Sequence, residues 1–587
     1  MLKLEPTREK RPISQGAARS GKEAVPGSEA LRPRIGHEDP SAKTDEPRGE
    51  SSPLLPFIIR FAALTGAFGL TCLTLTLILS RIAVNFDHDW VESTVARSVL
   101  RISAGETMYP PPSAVFLGDA YPPFFMYLCA SVSRFTGNSL FAARLISVLA
   151  TGLVLLALHR ISSDTRNLTG LNRPITSLER LDRFFPILLL PAFYAASGQT
   201  FDLARVDMTT LAFTSWAAVL AIKSTSMRGA LLAGLLMAAA ILTKHNIVLM
   251  GGVIGAGVLL HSPRRAVVFG ATALSIPAVA FIVMHQTTEG WSSFHLFEQL
   301  ARNEFGGAQR WIRFFAEDVG WHGVLMTGLL AAGFIAVWTG PTERAGFDRR
   351  HLAAVSLLVI GGLAMTISGR QKVGGFPNNL VPAWTFALFA MAWFLPRVRS
   401  RIHDATPAHR TLWNTVVSVM LLGVVVSLGF TYSRLPIHQY LNSERRAKAV
   451  AELQQLVNQY AASGPVWIPA HSGVMPNADH YAHLCPIGFT VDTENFPARS
   501  LLESDVLARL GQQHWSAIIL DDPRDKFISP AVWKTLIRTY EEMPWPIRNP
   551  DRLSSLTGKI TRPSRLFVRR ANPRRPAAEL AEEPTEE

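Results

Sequence analysis

Asn85-Phe86-Asp87-His88-Asp89-Trp90-Val91-Glu92-Ser93-Thr94-Val95-Ala96-Arg97 places three carboxylates, Asp87, Asp89 and Glu92, directly after the first long apolar run. Hydrophobic segments then continue to about Tyr432. Carboxylates at the mouth of a membrane bundle are costly to desolvate, so such a cluster marks a site or a water-filled cavity. Val91, Val95 and Val99 recur every four residues, which predicts an amphipathic helix lying at the membrane surface. Asp89 is placed to cap that helix, with Glu92 three residues later completing a capping box. A catalytic carboxylate and a helix cap are compatible roles for one residue. Gly105-Glu106 ends the helix, and a Pro-rich loop leads to Tyr121-Pro122-Pro123. Those residues shape the loop, because Pro fixes the backbone angle and removes a donor.

The remainder of the chain sets this stretch in a membrane. Of 587 residues, 48% are hydrophobic and only 18% are charged, and the mean hydropathy is +0.18. Several apolar runs approach the roughly 20 residues a spanning helix needs. A net charge of +13 would suggest nucleic acid in a soluble chain. Here many of the cations sit in short loops between apolar runs, where membrane topology accounts for them better. Cys72, Cys129 and Cys485 form no metal-ligand spacing, and a Cys129–Cys485 bridge needs both to face an oxidising compartment.

The expected fold is mainly α: a polytopic helical membrane bundle of about eleven spans, with a small extracytoplasmic α/β domain at the C-terminus. The runs lie at about 54–82, 140–158, 184–196, 208–222, 229–242, 247–260, 266–284, 323–338, 352–367, 376–395 and 412–432. The pair 229–242 and 247–260 also reads as one broken span. Short basic loops carrying Arg160 and Arg183, Lys223 and Arg228, Arg264 and Arg265, Arg349 and Arg350, and Arg397 and Arg410 alternate with longer, less basic ones. The basic set is assigned to the cytoplasm, together with the N-terminal tail. The longer loops and everything after Tyr432 then face outward, giving an integral plasma (inner) membrane protein.

The expected domains are a disordered cytoplasmic tail at 1–53, a membrane domain at 54–432 with its first outward loop at 83–139, an α/β domain at 433–573, and a disordered tail at 574–587. The polar, Pro- and Gly-rich tail cannot bury enough surface to fold alone. Within the α/β domain, helices are expected at Glu444–Tyr460 and Val532–Tyr540, and strands at Val466–Ala470, Ser516–Leu520 and Arg565–Arg569. Neither GxxxxGK[ST] nor GxGxxG occurs, which argues against a nucleotide-driven transporter.

The order of motifs resembles a known family. A carboxylate cluster, a helix, Gly105-Glu106 with Tyr109-Pro110, then Tyr121-Pro122-Pro123 and an apolar run with Arg144 is typical of polytopic glycosyltransferases of the C-type fold (GT-C). These include the protein mannosyltransferases and lipid A aminoarabinose transferases, and the likeness is closest to the bacterial dolichyl-phosphate-mannose-type or RgtA/B/C/D-like branch. Ala204-Arg205-Val206-Asp207, Leu242-Thr243-Lys244-His245, and Lys372-Val373-Gly374-Gly375 with Asn378-Asn379 extend it to about Leu395. The resemblance implies transfer of a sugar from a polyprenyl-phosphate carrier to a lipid, glycan or protein acceptor outside the cytoplasm. An aspartate of the first loop serves as base or positions the acceptor; carried over by position, Asp89 comes first and Asp87 second, with Glu92 the third candidate. The family usually shows its acidic pair as adjacent residues, whereas here the carboxylates are spread as DHDWVE.

The chemistry agrees with this placement. An acceptor hydroxyl must lose a proton to a carboxylate within hydrogen-bond reach, and cations must neutralise charge developing on the leaving phosphate. Arg205, Lys244, Arg370 and Lys372 are the candidate cations, with Lys244 first. Their bland alternative is snorkelling towards headgroups. Asp207 is expected to pair with Arg205 or to bind sugar hydroxyls, and His245, Asn378 and Asn379 complete the binding candidates. No cofactor is required; a divalent metal on Asp87 or Asp89 with His88 and His245 is the open alternative. The rival functions are a transporter or flippase of lipid-linked glycan and a non-catalytic envelope assembly protein.

Overall fold

In the computed structural model, the described residues are 54–163, 177–301, 304–338, 349–372, 374–404, 406–441, 443–471, 481–482, 497–521, 529–558 and 560–571. The tails expected at 1–53 and 574–587, and Cys485, therefore lie outside the described residues. Cys72 is exposed and Cys129 is buried, and neither is bridged to another cysteine among the described residues.

Every expected apolar run falls on a helix. Among the described residues, seven helices are long and apolar enough to cross a membrane, including Leu54–Arg81, Ser139–Ser163, Pro263–Thr287 and Arg349–Arg370. The helices Ser177–Ala192, Val206–Lys223, Met227–Thr243 and Val248–His261 are shorter or more polar. The last two are not one broken span. They are separate helices that fold back on each other through Lys244–Ile247, so that a Cβ on Gly251 would lie 3.3 Å from Met237 Cγ. The protein is thus an integral membrane protein built as a helical bundle, and leucines, valines and phenylalanines along its outer faces, such as Leu79, Leu149 and Val267, remain exposed for lipid.

The C-terminal region forms a five-stranded sheet in the order β2-β1-β3-β5-β4, from β1 (Val466–Trp467), β2 (Tyr481–Ala482), β3 (Ala517–Asp521), β4 (Tyr540–Met543) and β5 (Pro563–Arg569). β1, β2 and β3 run parallel, and β5 lies antiparallel to both β3 and β4. Every residue of β3 is buried, as its unbroken apolar run requires of a parallel strand covered on both faces. Helices Ser443–Ala461, Pro497–Gly511 and Pro530–Thr539 flank the sheet. Strands β2 and β4 and the helix Pro497–Gly511 had no counterpart in the sequence reading.

The valine stripe corrects an expectation. Helix Glu92–Ser103 begins three residues after Asp89 and ends at Gly105, whose φ of +77° lets the amide of Glu106 reach back to the Arg101 carbonyl (2.9 Å). Val91, Val95 and Val99 were expected on the membrane surface, yet they are buried in protein. They share one apolar core with Phe125, Met126 and Cys129 of helix Phe124–Thr136, with Val450, Leu453 and Val457, and with Val466, Ile468, Ala517, Ile519 and Leu566 of the sheet. Four-residue periodicity shows that a face is buried but not what buries it. The covering partner is the C-terminal sheet and its helix, which seat directly on the first-loop helices.

Candidate functional site

The capping box expected at Asp89 is only half made: Glu92 reaches back to the Asp89 amide, but the N-cap of helix Glu92–Ser103 is Val91, which bears no side-chain cap, and Asp89 bonds the Val91 amide instead. Asp89 Oδ1 accepts from the Val91 amide (3.1 Å), and Glu92 Oε2 accepts from the amides of Asp89 (3.3 Å) and His88 (2.7 Å). Glu92 does more than cap. Its Oε1 accepts from Arg144 Nε (2.9 Å) and the Ala204 amide (2.7 Å), and its Oε2 from Arg144 Nη2 (2.6 Å). Arg144 also donates to the carbonyls of Val84 (2.5 Å) and Phe86 (2.7 Å). Burial would raise the pKa of Glu92, but Arg144 and the amides hold it below the ordinary carboxylate value. This carboxylate is a fully enclosed brace that ties the first loop to two neighbouring segments.

Asp89 is placed differently. Its Oδ1 accepts from Arg205 Nη1 (2.8 Å) and its Oδ2 from Thr557 Oγ1 (3.1 Å), and it lines a cavity of about 250 Å³. Arg205, Asn378, Gln199, Thr200, Phe376 and Thr557 contribute to the same walls. Burial drives the pKa of Asp89 up, Arg205 opposes the rise, and the net direction is upward. Behind the cavity a charged chain continues: Arg205 Nε donates to Asp207 Oδ2 (3.1 Å), and Lys244 Nζ (2.7 Å) and Asn378 Nδ2 (3.1 Å) donate to Asp207 Oδ1. Lys244 also stands 5.9 Å from the centre of the Tyr121 ring.

Asp87 faces away from this cavity, towards the C-terminal sheet. Its Oδ2 accepts from Ser93 Oγ (2.8 Å) and meets His471 Nδ1 (2.8 Å), while His471 Nε2 reaches Asp521 Oδ1 (3.1 Å) at the end of β3. Burial would lower the pKa of His471, but Asp521 and Asp87 together push it up to about 10. The imidazolium thus bridges two carboxylates from opposite sides of the interface. A raised folded-state pKa stabilises fully below the unfolded value near 6.5, and that contribution fades as pH climbs towards 10. His471→Gln is therefore expected to cost about 3–5 kcal/mol at pH 6, because two buried carboxylates lose their cation. The gap from wild type should close by pH 10; thermal unfolding of both proteins in detergent at the two pH values checks this, and a pH-independent gap would refute it.

Among the sequence candidates, Asp89, Arg205 and Asn378 meet at the cavity, with Asp207 and Lys244 directly behind. The others do not join them. Asn379 Nδ2 donates to the Phe376 carbonyl (3.2 Å) within its own turn, and the Lys372 ammonium lies 5.9 Å from the Phe305 ring centre. Arg370 pairs with Asp318 (2.6 Å). His245 packs edge-on against Phe297, and His88 Nε2 is turned to the Arg81 carbonyl (2.9 Å). The metal set does not converge, since Asp87, Asp89, His88 and His245 point to separate partners. Among the described residues, no three His, Cys, Asp or Glu side chains come together as a metal site.

Several residues at the site escaped the sequence reading. Gln199 lines the cavity with a φ of +57°, a strained conformation for a side-chain-bearing residue that is typical of functional sites. Thr557 and Gly558 arrive from far along the chain. Asp119, two residues before Tyr121, is fully buried, and burial pushes its carboxyl up to about 7. A carboxylate just ahead of Tyr121-Pro122-Pro123 was a visible signal for Asp119; Thr557 offered none.

Comparison with known proteins bears on this arrangement. Residues 120–369 match the model of glycosyltransferase family 87. That stretch carries Arg205, Asp207 and Lys244, while the carboxylate loop and the C-terminal sheet lie outside it. The fold is similar to ArnT from Cupriavidus metallidurans bound to undecaprenyl phosphate, at 13% identity and a TM-score of 0.51, over 87% of this chain and 99% of that one. The protein is a membrane glycosyltransferase with the GT-C fold. The apo form of the same ArnT gives 15% identity and a TM-score of 0.50, over 86% of this chain and 98% of that one. Among curated proteins the sequence has no match. The match over residues 120–369 favours a glycosyltransferase over the flippase and assembly-protein readings.

Proposed function

We propose that this transferase moves a sugar from a polyprenyl-phosphate carrier to a lipid, glycan or protein acceptor of the cell envelope, with Asp89 as general base. The observation that carries the reading is the cavity of about 250 Å³ at which Asp89, Arg205 and Asn378 converge. It lies near the lower end of small-ligand pockets, roughly 300–1,000 Å³, and so suits a single sugar ring. Undecaprenyl phosphate in the similarly folded ArnT supports a lipid-phosphate donor.

In the step we infer, an acceptor hydroxyl gives its proton to Asp89 as its oxygen bonds to the anomeric carbon. The bond from that carbon to the phosphate oxygen breaks, and its electron pair leaves with the polyprenyl phosphate. A carboxylate whose pKa is raised by burial is a stronger base in its ionised form. Arg205 and Lys244, one on each side of Asp207, supply fixed positive charge for the leaving phosphate without reorganisation. The short basic loops favour an N-terminus in the cytoplasm and a site on the opposite face; a reporter fused after residue 571 and active only outside the cytoplasm tests that orientation.

The functional test uses purified full-length protein with synthetic undecaprenyl-phosphate hexoses and pentoses, plus envelope extract as acceptor. Release of undecaprenyl phosphate with labelling of an extract component is the expected result. Absence of turnover with nucleotide-sugar turnover in its place would overturn the donor assignment. Because transfer needs ionised Asp89, the rate should fall as pH drops through its raised pKa, so the acid limb lies above the ordinary carboxylate range.

A further inference from the structure

We propose that Thr557 is a positioning residue for transfer, its hydroxyl fixing the Asp89 oxygen that Arg205 does not hold, and that Gly558 keeps the space before that oxygen open for the acceptor. This rests on the reading of Asp89 as the base.

The two oxygens of Asp89 are unequal. Oδ1 is held by Arg205 (2.8 Å) and by the Val91 amide (3.1 Å). Oδ2 accepts only from Thr557 (3.1 Å) among the described residues. It therefore keeps a lone pair for an incoming proton, and it is the better placed basic atom. Thr557 has one hydroxyl proton and two acceptors in reach, Asp89 Oδ2 at 3.1 Å and the His88 carbonyl at 3.3 Å. The charged acceptor is the nearer and the stronger, so the proton points to Asp89.

The segment carrying Thr557 is built to hold this position. The amides of Leu556 (2.7 Å) and Thr557 (2.9 Å) both donate to the His88 carbonyl, and Thr557 forms a parallel bridge with Asp89. Ser555 closes the loop on itself, its amide donating to the Thr561 carbonyl (2.9 Å) while its hydroxyl accepts from the Thr561 amide (2.9 Å). Leu553, two residues before Ser555, is buried in the core shared with the first-loop helices. The C-terminal unit therefore supplies one wall of the cavity. Gly558 stands at that wall with a φ of +71°, and a Cβ there would lie 2.5 Å from Asp89 Oδ2 and 2.5 Å from Trp90 Cδ1. A side chain at this position would occupy the approach to the basic oxygen.

The charged and polar groups facing Asp89 are Arg205, ahead of helix Val206–Lys223, Glu92 on the helix that follows, and Thr557 from the C-terminal loop. Removing the Thr557 hydroxyl takes away a bond to the ionised form, so the acid limb of the rate moves to higher pH.

The test compares Thr557→Val, Thr557→Ser, Thr557→Cys and Gly558→Ala with wild type and Asp89→Asn, all full-length and purified, with the undecaprenyl-phosphate sugars above. Thr557→Val should lower kcat by about 10- to 100-fold, leave the KM for donor within about threefold, and shift the acid limb upward. Thr557→Ser should restore both the rate and the profile, Thr557→Cys should fall between, and Gly558→Ala should lose transfer at normal protein level. Wild-type kcat and pH profile in Thr557→Val, beside an inactive Asp89→Asn, would overturn the inference and leave the base in place. Equal impairment in the Val and Ser variants with an unmoved pH profile would also overturn it, as would full transfer by Gly558→Ala. An active Asp89→Asn would instead remove the reading beneath it.

Discussion

Asp89→Asn is expected to lower sugar transfer by about 10²- to 10⁴-fold, the usual contribution of a general base, while the protein accumulates in membranes at its normal level. The substitution is almost isosteric. The amide oxygen of Asn still accepts from the Val91 amide and from Arg205, and Asn caps a helix about as well as Asp. What disappears is the capacity to take a proton. Binding of donor should survive, so the loss falls on kcat and not on KM. The measurement is release of undecaprenyl phosphate by matched amounts of wild-type and variant protein. Full transfer by Asp89→Asn would move attention to Asp119, a further buried carboxyl within the influence of Arg205.

Glu92→Gln should fail in the opposite way, as a loss of the fold rather than of turnover. Arg144 would stay charged and buried with its counter-charge gone, a defect of about 3–5 kcal/mol. The Gln amide group would also face the donors of His88, Asp89, Ala204 and Arg144 with hydrogens of its own. Lower protein levels and an earlier thermal transition in detergent are expected. Glu92→Gln combined with Arg144→Met removes both charges and should recover part of the stability, since exchanging a whole buried ion pair costs less than breaking one. A stable, inactive Glu92→Gln would contradict the bracing role and return this residue to the chemistry.

The contrast between these two carboxylates shows what a sequence exposes. Asp87, Asp89 and Glu92 look alike in a string of letters, and the apolar runs around them were enough to place all three at one end of a helical bundle. Their division of labour depends on who faces them. Glu92 meets Arg144, 52 positions away; Asp87 meets His471, 384 positions away; Asp89 meets Thr557, 468 positions away. No local pattern encodes such pairings. The same holds for the valine stripe, whose spacing announced a buried face without naming its cover. Arg205 and Asp207 were legible as a pair because they lie two positions apart at the start of one helix. β2, with two residues, was too short to leave any periodicity, and Lys372 and Asn379 were misleading because motif order brought them near a site from which their side chains turn away.

The contact between Thr557 and Asp89 also has a bearing on timing. At about 5–20 residues per second, the ribosome needs on the order of half a minute or more after making Asp89 to reach its partner 468 positions on. Through that interval the first loop carries its carboxylates without the wall that later encloses them, and Asp87 waits for His471 in the same way. Assembly of the cavity at Asp89 is thus among the last events of biogenesis, and a chain arrested before Thr557 holds the described spanning helices yet lacks one wall of that cavity.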